Sequence, residues 1–428
     1  MRVFDSPSPK DWESILKRPT LAIQELDDIV AAVLKEIEEE GDTAVLRYTA
    51  RFDKADLQTY KVSSEEVAAA PAQLSEELKQ AIQTAKDNIQ KFHEQQLSKI
   101  EVVETMPGVH CWRKNVGIEK VGLYVPGGTA PLFSSVLMLG VPAILAACKE
   151  VVLCTPPNAQ GAIHPAIIYA AQLVGISQIF KVGGIQAVGA MAFGTETVPQ
   201  VYKIFGPGNQ YVTAAKQMVS RVGTAIDMPA GPSEVLVCAD NSADPAFVAA
   251  DLLSQAEHGV DSQVVLVAFD QDFVAQVQAA IEQQLAALPR RAIARKALDN
   301  SVAIVTSSRS EAMAIINLYA PEHLILSVEE VDDFSEQIVN AGSVFMGNFT
   351  PESAGDYASG TNHTLPTNGF ARAYSGVSVD SFVKKITFQQ ISQEGLKLLG
   401  PAVEAMAEAE QLMAHKNAVS IRLAKLNA

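Results

Sequence analysis

Residues 121–154, VGLYVPGGTAPLFSSVLMLGVPAILAACKEVVLC, contain two short apolar runs separated by one longer apolar segment. The runs 121–125 and 151–154 have the length of buried strands, and the segment 131–148 has the length of a helix. A strand, a helix and a second strand in this order predict a parallel βαβ unit. The stretch therefore predicts an α/β fold.

The same alternation of strand-length and helix-length segments continues towards the C-terminus. The further strand-length runs are residues 178–182, 203–205, 234–238, 263–268, 302–306, 324–326 and 343–345. This number of strands is enough for two parallel sheets, with a hinge near Ala230-Gly-Pro-Ser233.

Both ends of the chain predict helices instead. Residues 22–40 are periodic in apolar residues, and a second helical region runs from the capping box Ser63-x-x-Glu66 to about residue 96. The tail predicts a helical extension that is broken at Gly400-Pro401, followed by one long amphipathic helix over 403–426.

The composition narrows the possible partners and compartments. A chain of 428 residues suggests about two or three domains, and its formal net charge of −16 argues against a nucleic-acid partner. The N-terminus has no apolar signal region, and the longest apolar stretch, 136–148, is interrupted by Gly140 and Pro142. The four cysteines show no Cys-x-x-Cys spacing. These features predict a reduced, cytoplasmic protein without a membrane span.

Three glycine-rich turns follow predicted strands. They are Tyr124-Val-Pro-Gly-Gly128, Gly183-Gly-Ile-Gln186 and Phe205-Gly-Pro-Gly-Asn209. Open α/β sheets bind ligands at the carboxyl ends of their strands, so a nucleotide site at these turns is one interpretation. None of the turns matches the G-x-G-x-x-G pattern, and tight turns that need glycine for their geometry are an equal alternative.

Residues 251–259, DLLSQAEHG, predict the end of a helix that begins with the N-cap Asp244 and with Pro245. Gln255 and His258 lie three residues apart and hence on one face of that helix, where an amide oxygen and an imidazole nitrogen can both bind a cation. A Gln-x-x-His pair alone is weak evidence for a metal site.

Glu322 and His323 are adjacent and lie immediately before a predicted strand. Adjacent residues of an extended segment point to opposite sides, so the pair could serve two steps of one reaction. An imidazole with an ordinary pKa of roughly 6.5 can take a proton from an alcohol, and a carboxylate can activate water. A surface glutamate beside a hydrogen-bonded histidine is the alternative.

The segment 350–364 is rich in glycine, serine and threonine and predicts a long polar loop that carries Asp356 and His363. Asp356 could ligate a metal ion or form an Asx-turn, and His415 on the tail helix could be a ligand or a half-buried histidine. Two nitrogen and two oxygen donors, a set that suits zinc, are supplied together by Gln255, His258, Asp356 and His415.

Several long motifs in one order resemble the histidinol dehydrogenase family from about residue 121 to residue 422. The motifs are Gly122-Leu-Tyr-Val-Pro-Gly-Gly128, Val182-Gly-Gly184, Phe205-Gly-Pro-Gly-Asn209, Ile226-Asp-Met-Pro-Ala-Gly-Pro-Ser-Glu234, Gln255-Ala-Glu-His-Gly259, Pro321-Glu-His-Leu324 and Gly360-Thr-Asn-His363. The resemblance implies two incomplete Rossmann-like domains with parallel sheets, and a helical tail that is exchanged between the subunits of a homodimer. The implied parts are an N-terminal piece of residues 1–20, a discontinuous domain of residues 21–124 and 233–377, a nucleotide-binding domain of residues 125–232, and a tail of residues 378–428.

The same resemblance implies a zinc-dependent oxidation of L-histidinol to L-histidine through bound L-histidinaldehyde, with two NAD⁺ reduced in sequence. The implied zinc ligands are Gln255, His258, Asp356 and His415 of the partner subunit. Glu322 would activate water, and His323 would act as the base. The substrate pocket would include the zinc ligands and His323, together with Ser233, His363 and Glu410. The implied nucleotide-binding residues are Tyr124, Gln186 and Asn209.

Two other functions stay open at this point. A paralogous zinc- and NAD-dependent dehydrogenase could oxidise a sulfonated diol, although a sulfonate calls for added Arg or Lys and none follows Asp356 until Arg372. A scaffold or NAD-sensing protein without activity would not need Glu322, His323 and four metal ligands together.

Overall fold

The computed structural model of the chain describes residues 1–19, 23–127, 130–229 and 231–427. Three predicted features therefore lie partly outside the described residues: the helix start at Ala22, the turn glycine Gly128 and the hinge residue Ala230. The predicted domain boundary at residues 20–21 lies outside them as well.

The chain forms two compact units. The first consists of residues 1–96 and 118–382, and the second consists of residues 97–117 and 383–428. The predicted division of the chain into four parts stays a prediction.

Strands and helices alternate along most of the first unit. The strands of the described residues are β1 Arg2–Asp5, β2 Val102–Met106, β3 Val109–Gly117, β4 Lys120–Tyr124, β5 Glu150–Thr155, β6 Gln178–Lys181, β7 Lys203–Phe205, β8 Ala225–Ile226, β9 Glu234–Ala239, β10 Gln263–Ala268, β11 Val302–Val305, β12 His323–Ser327, β13 Ser343–Met346 and β14 Val383–Ile391. The α-helices are α1 Trp12–Ile15, α2 Ile23–Glu40, α3 Asp42–Tyr48, α4 Ser64–Ala69, α5 Glu76–Glu94, α6 Phe133–Leu145, α7 Pro165–Leu173, α8 Gly184–Phe193, α9 Gln210–Ser220, α10 Pro245–Ala256, α11 Gln271–Leu285, α12 Arg291–Asp299, α13 Arg309–Tyr319, α14 Val331–Ser335, α15 Glu352–Tyr357, α16 Gln393–Ala409 and α17 Met413–Asn427. Short 3₁₀ segments lie at Ala70–Gln73, Phe370–Arg372 and Val379–Phe382, and a π-helical turn lies at Thr49–Asp53.

A six-stranded parallel sheet has the strand order β1-β11-β10-β9-β12-β13. Every residue of β9 and β10 is buried. Helices cover both faces, because α10 and α11 pack on one face and α13 packs on the other. Uninterrupted apolar runs are typical of parallel strands that are covered on both faces.

A five-stranded parallel sheet has the order β6-β5-β4-β7-β8. Counted from β4, this is the Rossmann order 3-2-1-4-5, in which ligands bind outside the carboxyl ends of the strands where the order reverses. That reversal lies between β4 and β7. Helix α2 packs on α8, where a Cβ at Gly189 would lie 2.9 Å from the Cδ1 atom of Ile37, so glycine permits the close approach. The prediction of an α/β fold with parallel sheets is confirmed.

The second unit contains the antiparallel sheet β14-β3-β2 and the helices α16 and α17. The predicted helical tail is confirmed by α16 and α17, but its first part, Val383–Ile391, forms strand β14, which pairs with β3. Helix α16 also continues through Gly400-Pro401, and the break comes at Gln411, whose φ is 59°. Gly400 lies against Leu423, so this glycine serves the packing of α16 on α17.

Candidate active site

A cavity of about 300 Å³ lies in the first unit, between the ends of its two parallel sheets. Its walls come from the segments that follow β4 and β7 and from those at the starts of β9 and β12. The lining residues from these segments include Pro126, Pro207, Asn209, Ser233, Glu322 and His323. The cavity therefore joins the carboxyl ends of the five-stranded sheet to the amino ends of the six-stranded sheet.

Gln255 and His258 reach this cavity from the end of α10. The predicted N-cap is confirmed, because the Asp244 carboxylate accepts a hydrogen bond from the Ala246 N–H at 2.8 Å. The helix ends at Ala256, so Gln255 is buried in its last turn and His258 is exposed in the turn that follows. Both side chains line the cavity, although they do not share the helix as predicted.

Asp356 and Glu352 stand on the short helix α15. The prediction of an irregular loop over residues 350–364 is wrong for this part, and the helix brings the two carboxylates, four residues apart, onto one face. His363 lies in the irregular part of the segment. Its Nδ1 lies 2.9 Å from the carbonyl oxygen of Asp356, and its Nε2 lies 3.1 Å from the Ser135 hydroxyl.

Glu322 and His323 are both buried, and both line the cavity. The expectation that they point to opposite sides is wrong, since β12 begins only at His323 and Glu322 lies in the turn before it. The Oε2 atom of Glu322 accepts the Glu234 backbone N–H at 3.0 Å and lies 3.7 Å from His323 Nδ1. Two more carboxylates approach the ring: Glu352 Oε1 lies 3.6 Å from Nδ1, and Asp356 Oδ1 lies 3.5 Å from Nε2.

The charges in the cavity are dominated by these carboxylates. Burial lowers the pKa of His323, but Glu352, Glu322 and Asp356 outweigh burial and raise that pKa to about 10. Burial raises the pKa of Glu322 to about 8, although His323 opposes this shift. Burial also raises the pKa of Glu352 well above its ordinary value. Three carboxylates around one imidazole make the cavity favourable for a cation.

The donor atoms of the cavity fit a zinc ion. One ligand atom each of His323, Glu352 and Asp356 lie within 4.8 Å of one another. The atoms His323 Nε2 and Glu352 Oε2 are buried without a hydrogen-bond partner among the described residues. Gln255 and His258 line the same cavity. Imidazole nitrogens and carboxylate oxygens are common zinc donors, and an amide oxygen is a less common one.

Glu410 and His415 belong to the second unit, and both are exposed there. Glu410 is the C-cap of α16, and His415 lies in the first turn of α17. Their assignment to the substrate and the metal ion stays a prediction.

Two of the residues predicted to bind the nucleotide, Tyr124 and Asn209, lie at the carboxyl ends of β4 and β7, on either side of the reversal point of the five-stranded sheet. The third, Gln186, lies on α8 after the outer strand β6. Tyr124 ends β4, and its hydroxyl accepts the Gly184 N–H at 3.3 Å. Gln186 is fully buried and donates to Asp53 Oδ2 at 3.0 Å, while its Oε1 has no partner in the described part of the chain. Asn209 caps α9 through its side chain. Nucleotide binding by these residues stays a prediction.

The sequence-based prediction missed Glu352, which the structure places beside His323 and Gln255. One signal was present, because Glu352 and Asp356 are four residues apart and share a face if the segment is helical. Because the segment was interpreted as a loop, residues four apart were not expected to share a face.

Comparisons with known proteins agree on one family. The family model for histidinol dehydrogenase matches residues 16–423. The chain is 60% identical to histidinol dehydrogenase of Bacteroides thetaiotaomicron over 423 residues, which cover 99% of both chains. It is 50% identical to the Salmonella typhimurium enzyme, with 98% of this chain and 96% of that chain covered. The crystal structure of histidinol dehydrogenase from Elizabethkingia anophelis matches with a TM-score of 0.98 at 57% identity, and the match covers 100% of this chain and 99% of that one. The chain therefore belongs to the histidinol dehydrogenase family.

Proposed function

We propose that the chain oxidises L-histidinol to L-histidine through bound L-histidinaldehyde, with two NAD⁺ reduced in sequence. Histidinol dehydrogenases are NAD-dependent oxidoreductases of histidine biosynthesis, and the family uses zinc. The observation that carries the proposal is the meeting of Glu322, His323 and Asp356 in one cavity of a chain that matches this family over residues 16–423.

The proposed zinc ligands are Gln255, His258, Asp356 and His415 of the partner subunit. The first three line one cavity, which supports their assignment. A bound zinc ion would anchor the amino and imidazole nitrogens of the substrate and so orient it. The carboxylates that raise the pKa of His323 would then also face a cation, and His323 would give up its proton more readily.

His323 is proposed to take the hydroxyl proton when the alcohol is oxidised, and again when the aldehyde hydrate is oxidised. Glu322 is proposed to take a proton from the water that adds to the aldehyde. Both side chains are buried, which supports these roles because a shielded cavity protects a reactive aldehyde from side reactions. Ser233 and His363 line the same cavity and are proposed, with Glu410, to contact the substrate.

Tyr124, Gln186 and Asn209 are proposed to bind NAD⁺. Tyr124 and Asn209 are supported by their position at the reversal point of the five-stranded sheet. Gln186 is supported by its place in the first turn of α8, where the Gly184 N–H donates to the Tyr124 hydroxyl. A second cavity, of about 630 Å³, also lies at the carboxyl ends of this sheet, lined by Gly127 after β4 and by Pro156 after β5. Its position after β4, the strand that ends at Tyr124, supports a dinucleotide bound along this edge of the sheet.

A cytoplasmic homodimer with exchanged tails is also proposed. Exposed apolar side chains in the second unit support an interface there, and they include Ile386, Phe388, Leu398, Met406 and Ile421. The cysteines are free thiols, which agrees with a reducing compartment. None of the helices in the described ranges has the length and apolar character that crossing a membrane requires.

The test is the number of NADH molecules formed per L-histidinol consumed. It is measured on the purified protein before chelation, after chelation and after zinc is restored. The expected result is two NADH per substrate, with activity lost on chelation and recovered with zinc. Absence of turnover under all three conditions would contradict the proposal, and a sulfonated diol would then be assayed as the substrate.

A further inference from the structure

Glu352 is a buried carboxylate that the roles proposed above do not use. It is the first residue of α15 and is 0% exposed. Its Oε2 has no hydrogen-bond partner within the described chain. A carboxylate in such a place is costly unless a specific partner or a cation stabilises it. The neighbours of Glu352 should therefore indicate its purpose.

The closest polar neighbour of Glu352 is the side-chain amide of Gln255. In one of the two amide orientations, the nitrogen donates to Glu352 Oε1 and the oxygen accepts the Glu234 backbone N–H at 2.9 Å. In the other orientation the amide oxygen would face the carboxylate oxygen, which is repulsive. Glu352 therefore favours the orientation in which the amide nitrogen of Gln255 faces the carboxylate and the amide oxygen faces away from it.

We propose that Glu352 is a positioning residue of the metal site: it accepts the amide hydrogen of Gln255 and so fixes the orientation of that amide. The amide oxygen then accepts the Glu234 N–H with one lone pair and has its second lone pair for the cation. The inference rests on the proposed function in one respect, namely that Gln255 is a zinc ligand. Side chains that orient metal ligands typically change metal affinity by about 10–100-fold when they are replaced. The same carboxylate lies 3.6 Å from His323 Nδ1, so it also borders the proposed base.

The experiment compares zinc affinities of the full-length protein, after removal of its metal, by competition with a chromophoric chelator. Glu352→Met keeps the length of the side chain and removes both acceptor oxygens. It is expected to weaken zinc binding by about 10–100-fold. Glu352→Gln keeps one carbonyl oxygen that can accept the amide hydrogen, and it is expected to recover most of the affinity. The control Asp272→Asn removes an exposed carboxylate from α11 and is expected to leave the affinity near that of the parent.

A double-mutant cycle separates positioning from a general structural role. If Glu352 acts through Gln255, Glu352→Met should add little to the loss of zinc affinity that Gln255→Ala already causes. Independent, additive losses would overturn the proposal. Unchanged zinc affinity in Glu352→Met would overturn it as well. Should the methionine variant fail to fold, Glu352→Asp, which withdraws the carboxylate by one methylene group, takes its place in the cycle.

The absorption spectrum of the cobalt-substituted protein distinguishes positioning from direct ligation. A positioning role predicts a ligand-field spectrum in Glu352→Gln that matches the parent. A changed spectrum would mean that Glu352 itself binds the metal ion and would overturn the proposal. Zinc binding that is unaffected by Gln255→Ala would show that the proposed ligand set is wrong, which is a different failure from that of Glu352.

Discussion

At the scale of single residues, His323 is buried, and three carboxylates lie within 3.7 Å of its ring nitrogens. A positioned base typically contributes a factor of about 10²–10⁴ to a rate. His323→Asn is therefore expected to lower kcat by about that factor while the zinc content stays at the parental level. Steady-state kinetics and metal analysis of the variant measure both quantities. An unchanged rate would contradict the assignment of His323 as the base.

Asp53 provides a second test at the residue scale, because burial raises its pKa to about 6 against the opposing hydrogen bond from Gln186. The unfolded chain has an aspartate pKa of about 3.9. The folded state thus binds the proton more tightly, and the contribution of Asp53 to stability is lost as the pH rises from about 4 through about 6.

Asp53→Asn removes the charge and keeps an oxygen that can accept from Gln186. The variant is expected to increase the free energy of unfolding by about 1–3 kcal/mol at pH 7, and this gain should shrink as the pH falls towards about 4. Urea denaturation across this range measures the difference. If the increase in the free energy of unfolding did not change with pH, the ionisation of Asp53 would not be its cause.

At the scale of elements, buried strands could be predicted closely and polar elements could not. β7 and β10 have their predicted bounds, because an apolar run of strand length between turn residues leaves few alternatives. β14 was assigned to a helix, since its pairing with β3 depends on a segment more than 250 residues away. Helix α15 has no apolar periodicity, so the pattern of its residues did not indicate a helix. The sequence motifs predicted most of the residues that line the cavity. The place of Glu352 could not be predicted from them, because it depends on α15 being a helix.

Helix α3 is tied to the turn after α8 through Asp42, its first residue. The Asp42 carboxylate accepts the Thr197 backbone N–H at 3.2 Å and the hydroxyl hydrogens of Thr197 and Tyr60. Burial acts to raise the pKa of Asp42, but hydrogen bonds from Thr195, Thr197 and Tyr60 outweigh it, so the pKa lies below its ordinary value. The stabilisation is therefore present above the pKa of the unfolded state and is lost as the pH falls through the folded-state pKa.

Asp42→Ala is expected to lower the free energy of unfolding by about 1–3 kcal/mol at pH 7, because the buried Tyr60 hydroxyl loses one of its two hydrogen-bond partners and Thr197 loses an acceptor of its N–H and hydroxyl. In acid, the stabilities of the parent and the variant should converge. Thermal melts at neutral and acidic pH measure the effect. The matched control is Asp56→Ala, which removes an exposed carboxylate and should leave the melting temperature nearly unchanged. If both variants lost the same stability, the cause would be the change in net charge and not the loss of the hydrogen bonds between α3 and the turn after α8.

At the scale of the whole molecule, the two parallel sheets contribute opposite ends to one cavity. Counted from β9, the six-stranded sheet also has the order 3-2-1-4-5, with β1 added at its edge. Its reversal point lies between β9 and β12. The cavity, however, lies at the amino ends of these strands, where Ser233 and His323 line it. The rule that ligands bind at carboxyl ends accounts for the turn at Asn209 and not for His323. Strand order alone could not have brought these residues together.

The proposed exchange of tails makes a prediction that concerns the dimer. If zinc is held by His415 of the partner subunit, His415→Asn and His323→Asn each inactivate both sites of their own homodimer. After the two variants are unfolded together and refolded in equal amounts, random pairing makes about half of the dimers mixed. One site of each mixed dimer then carries both changes and the other carries neither, so about a quarter of the parental activity should return. Each variant refolded alone is the control, and mixed dimers are counted by native mass spectrometry. Mixed dimers without activity would show that His415 serves the site of its own subunit.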